Sequence, residues 1–185
     1  MSDILRFLQQ RNSSSKLIAP APTKAQLNDM IGAALRVPDH AWLRPWRFIT
    51  IDGERRQAFG DLLERCLLAH TPAADDAARA KARNAPLRAP LLVVVVVNVA
   101  EHPKVPSIEQ RLSGACAAYA ILLAAEASGF AGMWRTGPAA YDRALCDELG
   151  LAASEEIIGF VYLGSRDAAP KPIPPLFAAD FVSAW

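Results

Sequence analysis

The sequence lacks the features that mark metal-binding, disulfide-bonded and membrane-spanning proteins. Its 185 residues include only three cysteines and three histidines, and no two of them have the spacing of a zinc site. The odd cysteine count, with no CxxC pair, argues against a disulfide framework. The longest apolar runs, Leu91–Val97 and Ala115–Ala125, fall well below the roughly 18 residues that a membrane-spanning helix requires. We therefore expect no metal site and no membrane partner.

An excess of one charge and the common nucleotide-binding motifs are missing too. The formal net charge is only +1, so the basic excess typical of nucleic-acid-binding proteins is absent. Neither GxGxxG nor a Walker A motif occurs, which argues against a Rossmann or P-loop site. Asp39 and His40 could belong to a hydrolytic triad, but no GxSxG elbow supplies its serine. The first ten residues carry Asp3 and Arg6 and are not a signal peptide, so a cytoplasmic location is expected.

The residues that are present fit one globular domain over residues 1–185. Segments with helical spacing of apolar residues occur beside short β-branched runs, which predicts an α+β fold with a central mixed β-sheet flanked by helices. The predicted helices are Asp3–Gln10, Thr23–Arg36, Glu54–His70, a surface helix within 71–88, Ile108–Ser128 and Tyr141–Leu149. The predicted strands are Trp46–Ile51, Leu91–Val97, Gly132–Arg135 and Ile157–Leu163.

The long predicted helix carries a stretch, Ala115–Ala125, that is apolar on all sides. Such a helix should be buried all round, and its small residues allow another helix to come close. A chain this short has few elements of its own to cover it, so symmetric contact with a second subunit is expected. A buried core helix in a monomer is the alternative.

Two loops combine residues that suit an anionic or aromatic ligand. Arg11–Ser15 directly follows the first helix, and a guanidinium beside hydroxyls and free N–H groups can hold a phosphate. The plainer interpretation is a helix end followed by a polar loop. Arg36–Trp46 contains two tryptophans, two arginines, Asp39 and His40, which suit a flat ligand with polar edges.

A third segment, Gly129–Pro138, places Trp134, Arg135 and Thr136 between glycines. Glycines let the backbone approach a ligand closely, a tryptophan can pack on a ring, and an arginine can meet an anion. A simple connection from helix to strand is the alternative.

Taken in order, these segments resemble the nitroreductase family of flavoproteins, in particular its small YdjA-like branch. The resemblance covers nearly the whole chain, and the order and spacing of its motifs are more specific than any one of them. They are Arg11-Asn12-Ser13, Ala19-Pro20-Ala21-Pro22-Thr23, Arg36-Val37-Pro38-Asp39-His40, Pro45-Trp46, Lys81–Pro86, Lys104-Val105-Pro106, Gly132–Gly137 and Gly159–Gly164.

The resemblance implies a homodimer that binds FMN at the subunit interface, with pockets built from both chains. It assigns the phosphate and ribityl end of FMN to Arg11 and Ser13, with Asn12 between them. The partner chain would contribute Arg36 and His40. The isoalloxazine ring would be bordered by Trp134, Arg135 and Thr136. This chain departs from the family where a Gln commonly precedes Pro-Trp, because Arg44 stands there.

The resemblance also implies the chemistry, in which the flavin carries the reaction and no side chain acts as a catalytic nucleophile. NADH or NADPH would pass a hydride to flavin N5 and leave, and a nitroaromatic or quinone-like acceptor would then take the electrons in a ping-pong cycle. A non-catalytic flavin-binding protein is one alternative. A flavoenzyme of the same scaffold with other chemistry, such as flavin fragmentation or dehalogenation, is the second.

Overall fold

The computed structural model describes residues 2–185 and has the α+β architecture that the sequence predicts. In chain order its main elements are α1 (Asp3–Gln10), β1 (Leu17–Ile18), α2 (Lys24–Ala34), β2 (Trp46–Asp52), α3 (Arg55–His70), α4 (Asp76–Asn84), β3 (Leu91–Asn98), α5 (Ser107–Ala127), β4 (Ala131–Arg135), α6 (Arg143–Glu148) and β5 (Glu155–Arg166). Short 3₁₀ turns lie at His40–Trp42, Ala85–Arg88, Pro138–Tyr141 and Ala178–Asp180. In the part of the chain that the structure describes, each helix is too short or too polar to span a lipid bilayer.

Two helix boundaries differ from the prediction for local reasons. The capping box that begins α2 is present, with Thr23 and Gln26 satisfying each other's backbone N–H groups. The helix ends at Ala34 rather than Arg36, because the residue before Pro38 is disfavoured in helical conformation. The helix expected from Tyr141 begins instead at Arg143, since the Asp142 carboxylate accepts hydrogen bonds from the first free N–H groups of α6.

The sheet has the strand order β1-β5-β3-β2, and β4 pairs with β5 as well. Each of these strand pairs is antiparallel, so the sheet is antiparallel where the sequence analysis expected a mixed one. The β3 strand lies between β2 and β5, and its residues Leu91–Val97 are all buried. The predicted strand buried on both faces is confirmed.

Helices cover both faces of this sheet. Alternate residues of β3, including Leu92 and Val94, pack with side chains of α3 and α6. The intervening residues, including Val93 and Val95, pack with α2 and α5. An uninterrupted apolar strand is therefore needed here because both of its faces contribute to a hydrophobic core.

The long helix α5 has one buried side and one exposed side. Ala117, Ala118 and Ile121 are fully buried against the sheet. Within the predicted stretch, in contrast, Tyr119 is 42% exposed and Cys116 is exposed, and Ile108 and Leu112 before it are each 56% exposed. The prediction that Ala115–Ala125 is buried all round is therefore wrong for a single chain.

Candidate functional site

The loop after α1 presents a cation that has no acidic partner. Arg11 ends the helix, and its Nη1 donates a hydrogen bond to the Ser13 hydroxyl at 3.1 Å. Both residues are half-buried. Among residues 2–185 no carboxylate lies within 4.0 Å of the Arg11 guanidinium. The positive charge of Arg11 is therefore available to a bound anion.

Two other cations around this loop, Lys16 and Arg166, are neutralised by side chains of the same chain. Lys16 pairs with Asp167 at 2.7 Å, and Arg166 pairs with Glu126 of α5 at 2.6 Å. The Asn12 amide donates to the carbonyl oxygen of Lys171 at 2.7 Å, which holds the C-terminal tail against the loop. Loop and tail together enclose a cavity of about 110 Å³, lined by residues 12–16 and 166–171.

Backbone contacts fix the same loop against the sheet edge at β4. The Ser14 N–H donates to the Gly132 carbonyl at 3.1 Å, and the Arg135 guanidinium donates to the Ser15 carbonyl at 3.3 Å. The structure thus brings the first and third predicted segments together, as one site would require. Thr136 follows β4 directly and is exposed.

The side chains of Trp134 and Arg135 lie on opposite faces of the sheet, as the alternation of a strand requires. Trp134 packs with the core on the α5 side. The Arg135 guanidinium lies 5.5 Å from the ring centre of Tyr162, which belongs to the core on the other side. Burial lowers the pKa of Arg135, and the nearby positive charge of Arg88 adds to this effect. A single flat ligand can therefore meet only one of these two side chains face on.

Two buried nitrogens at this edge have no hydrogen-bond partner, namely Trp134 Nε1 and Arg135 Nε. Unsatisfied buried donors are rare in folded proteins and call for an explanation. The Trp134 indole lies so close to Gly159 that a Cβ there would be 2.1 Å from Nε1. This close packing covers the indole N–H with the chain itself. The Arg11 guanidinium, which has no carboxylate partner, fits the anionic end of a ligand such as FMN.

The loop Arg36–Trp46 lies at the N-terminal end of α5. The Ser113 hydroxyl donates to the Pro38 carbonyl at 2.8 Å, and His40 Nδ1 lies 2.6 Å from a Glu109 carboxylate oxygen. Arg36 and His40 are exposed. Sequence reasoning missed Glu109 as the partner of His40, because 69 residues separate the two and no motif connects them.

The two groups of predicted site residues do not meet within one chain. His40 contacts Glu109 in the first turn of α5, whereas Arg166, which contacts the Asn12 carbonyl, pairs with Glu126 in the last turn. At 1.5 Å per residue these two glutamates are about 26 Å apart along the helix. Arg11, Asn12 and Ser13 therefore lie at one end of α5, and Arg36 and His40 lie at the other.

Several solved structures share this fold. The structure superposes on a nitroreductase-like family protein from Bacillus cereus with a TM-score of 0.85 and 20% identity, covering 100% of this chain and 97% of that one. A nitroreductase from Bacteroides fragilis, solved with bound FMN, superposes with a TM-score of 0.74 and 21% identity, and each chain is covered completely. These likenesses confirm the nitroreductase-like fold.

Sequence comparison identifies the family itself. Residues 8–165 match the model of the nitroreductase family. The chain is also 43% identical over 163 residues to the Escherichia coli K12 protein named "Putative NAD(P)H nitroreductase YdjA", with 88% of each chain covered. The chain belongs to the nitroreductase family, which is a family of oxidoreductases. The predicted family and enzyme class are confirmed, and the relatives' names agree with the predicted cofactors FMN and NADH or NADPH.

Proposed function

We propose that the protein is a cytoplasmic, homodimeric oxidoreductase that uses FMN and NADH or NADPH to reduce nitroaromatic or quinone-like acceptors. The observation that carries this proposal is the Arg11 guanidinium, which has no carboxylate partner and lies beside the Ser13 hydroxyl in the loop that meets β4. When bound, FMN would accept a hydride at N5 from the nicotinamide and deliver two electrons to the acceptor, in a ping-pong cycle.

The residues of this chain would bind and orient the cofactor. Arg11 and Ser13 would hold the phosphate, and Asn12 would fix the loop to the tail through its contact with the Lys171 carbonyl. The Trp134–Thr136 segment would border the ring. Because the tail lies beside this loop, the whole of residues 1–185 would act as one FMN-binding domain.

The exposed side of α5 has the pattern of a self-complementary interface. Its exposed or half-buried residues include the apolar set Ile108, Leu112, Ala115, Cys116, Tyr119 and Leu123. The sequence intervals between successive residues of this set read the same from either end. If a two-fold axis passes between Ala115 and Cys116, each residue of the set therefore lies opposite another apolar residue of the same set on the partner helix. Two antiparallel α5 helices would then place Leu112 against the partner subunit's Tyr119. Exposed apolar residues of α1, such as Ile4 and Leu5, offer further surface for a partner.

Antiparallel pairing of α5 would also complete the pocket. It brings the N-terminal end of one helix beside the C-terminal end of the other. The loop that carries Arg36 and His40 would then reach the partner chain's Arg11 loop. Within one chain, Glu109 beside His40 and Glu126 beside Arg166 are about 26 Å apart along the helix. A fixed cation at Arg36 and a donor at His40 would stabilise negative charge on the ring through preorganised electrostatics.

We expect the purified protein to be yellow and to release FMN when denatured, and Arg11→Ala to weaken FMN binding about ten- to a hundredfold. The reason is the loss of a hydrogen bond to a charged group, which contributes roughly 1.5–3 kcal/mol. Fluorescence titration of FMN measures the dissociation constant. Arg6→Ala serves as the control, because Arg6 is exposed on α1 and contacts only Asp3.

An unchanged dissociation constant for Arg11→Ala would rule out Arg11 as the phosphate anchor. A colourless protein that does not bind added FMN would contradict the proposed function as a whole. Anaerobic oxidation of NADH and NADPH with a nitroaromatic acceptor then separates an enzyme from a non-catalytic flavin-binding protein.

The proposed two-fold axis predicts that Cys116 can be cross-linked between subunits. Oxidation should give a disulfide-linked dimer on a non-reducing denaturing gel, because the axis would place Cys116, which is exposed in the single chain, beside the same residue of the partner subunit. Cys66 and Cys146 are buried within their own chain, and burial raises the pKa of both thiols, so they should react slowly. Cys116→Ser should abolish the product. A sedimenting dimer that does not cross-link through Cys116 would contradict this packing of α5.

A further inference from the structure

The segment between Asp39 and Arg44 has a strained backbone at the protein surface. Three of its non-glycine residues lie in the left-handed region, with φ of 60° at Ala41, 55° at Trp42 and 48° at Arg44. Such conformations persist only where the surroundings hold them, and they occur preferentially at functional sites. The question is what the strain maintains.

Short-range contacts hold this segment in place. The Asp39 carboxylate accepts a hydrogen bond from the Arg44 backbone N–H at 2.8 Å, which closes the loop. The flanking contacts of Pro38 with Ser113 and of His40 with Glu109 fasten it to α5. The segment is therefore exposed but fixed, and the directions of its side chains are set in advance.

The fixed loop presents an aromatic ring and a cation side by side. Trp42 is 79% exposed, and Arg44 is exposed two residues further on. In residues 2–185 no carboxylate lies within 4.0 Å of the Arg44 guanidinium. The nearby acids already have partners, since Asp39 binds the Arg44 N–H and Glu109 contacts His40. The charge of Arg44 is uncompensated beside an exposed indole.

We propose that Trp42 and Arg44 select the electron acceptor, and that the preferred acceptor is a planar aromatic molecule with a carboxylate. The ring would stack on Trp42 and the carboxylate would accept hydrogen bonds from Arg44. This inference rests on the proposed function, in which the loop reaches the pocket of the partner subunit. In the proposed function Arg11, at the other end of α5, binds the phosphate of FMN. Arg44 is therefore available to bind a second anion.

Calorimetric titration of the oxidised, FMN-loaded protein without reductant tests this inference, because it measures binding rather than turnover. The probes are 4-nitrobenzoate and its neutral analogue 4-nitrobenzamide. Wild-type protein should bind the carboxylate more tightly. Arg44→Gln should raise the dissociation constant of 4-nitrobenzoate about tenfold, the effect of losing one charge-assisted hydrogen bond, and should leave that of the amide unchanged. Trp42→Ala should weaken both probes to a similar extent, and Trp42→Phe should restore most of the loss.

Control variants and a second ligand separate the possible outcomes. Arg65→Gln removes an exposed cation on α3, on the opposite face of the sheet from α5, and should change neither constant. Titration with NAD⁺ tests the alternative anion: a loss of its binding in Arg44→Gln, with 4-nitrobenzoate unaffected, would assign Arg44 to the nicotinamide donor and overturn the inference. Equal binding of both probes by a yellow, dimeric wild type would also overturn it. A flavin-free wild type would overturn the proposed function and this inference together.

Discussion

Leu112→Glu should convert the protein to a folded monomer that has lost FMN. In the proposed dimer the substitution places a carboxylate in the apolar contact between two α5 helices, twice per dimer because of the two-fold symmetry. Each unpaired buried polar group costs roughly 1–3 kcal/mol by mutational measurements, so two per dimer should raise the dimer dissociation constant about thirty- to twenty-thousandfold. Sedimentation velocity at micromolar concentration measures the assembly, and flavin absorbance measures the cofactor.

A matched substitution on the other side of the same helix separates assembly from folding. Ala118 and Leu122 are buried in the core of their own chain, with 0% and 6% exposure. Ala118→Glu should therefore unfold the protein, whereas Leu112→Glu should keep a native circular dichroism spectrum, because Leu112 is 56% exposed in the single chain. Adding Tyr119→Lys to Leu112→Glu should restore the dimer by placing opposite charges across the interface.

A Leu112→Glu protein that remains a yellow dimer would show that α5 does not form the subunit contact. If Leu112→Glu is monomeric but the double variant does not recover the dimer, a smaller part of the proposal is contradicted. The α5 helix would still form the interface, but Leu112 would not lie against the partner subunit's Tyr119.

Much of the fold could be predicted because local signals agreed with the tertiary structure. The capping box at Thr23 marks the start of α2 regardless of what packs against the helix. The run Leu91–Val97 can bury all of its apolar side chains only as a strand that is covered on both faces. The sheet direction could not be predicted in the same way. A strand buried on both faces suggests parallel neighbours, but here antiparallel neighbours have helices on both sides.

The buried side of α5 could not be identified from its sequence. Alanine and leucine occur all around the helix, so the apolar residues have no preferred side that would point to the core. The neighbouring elements determine it: Met30 of α2 and Val93 of β3 cover the side that contains Ala118, whereas Leu112 stays 56% exposed. Glycine signals the buried side more directly, since a Cβ at Gly114 would be 2.2 Å from Val97.

The candidate site was predicted as a set of residues but not as an arrangement. The family motif contains Trp134 and Arg135 next to each other in sequence. Because side chains alternate along a strand, these two side chains lie on opposite faces of the sheet. The separation of His40 from Arg11 was likewise invisible in sequence, because it depends on which ends of α5 their loops contact. That separation is the strongest structural reason to expect a pocket shared by two chains.

Co-expression of two inactive variants should restore activity if the pocket is shared. Arg11→Ala should impair the phosphate end of each site, and His40→Ala should impair the ring end. A homodimer of either variant has one lesion in each site. In a heterodimer, however, one site receives both lesions and the other site receives none, provided that Arg11 and His40 act on the same flavin from different chains.

The intact site should give up to half the wild-type activity per heterodimer, measured as NAD(P)H oxidation after purification through two different affinity tags. Mixing the separately purified homodimers without subunit exchange is the control and should give no recovery. If both residues served a flavin within one chain, each heterodimer site would keep one lesion and activity would stay at the level of the single variants. We expect recovery, because about 26 Å of helix separates Glu109, the contact of His40, from Glu126, the contact of Arg166 beside the Arg11 loop. Antiparallel α5 helices would bring these two ends together.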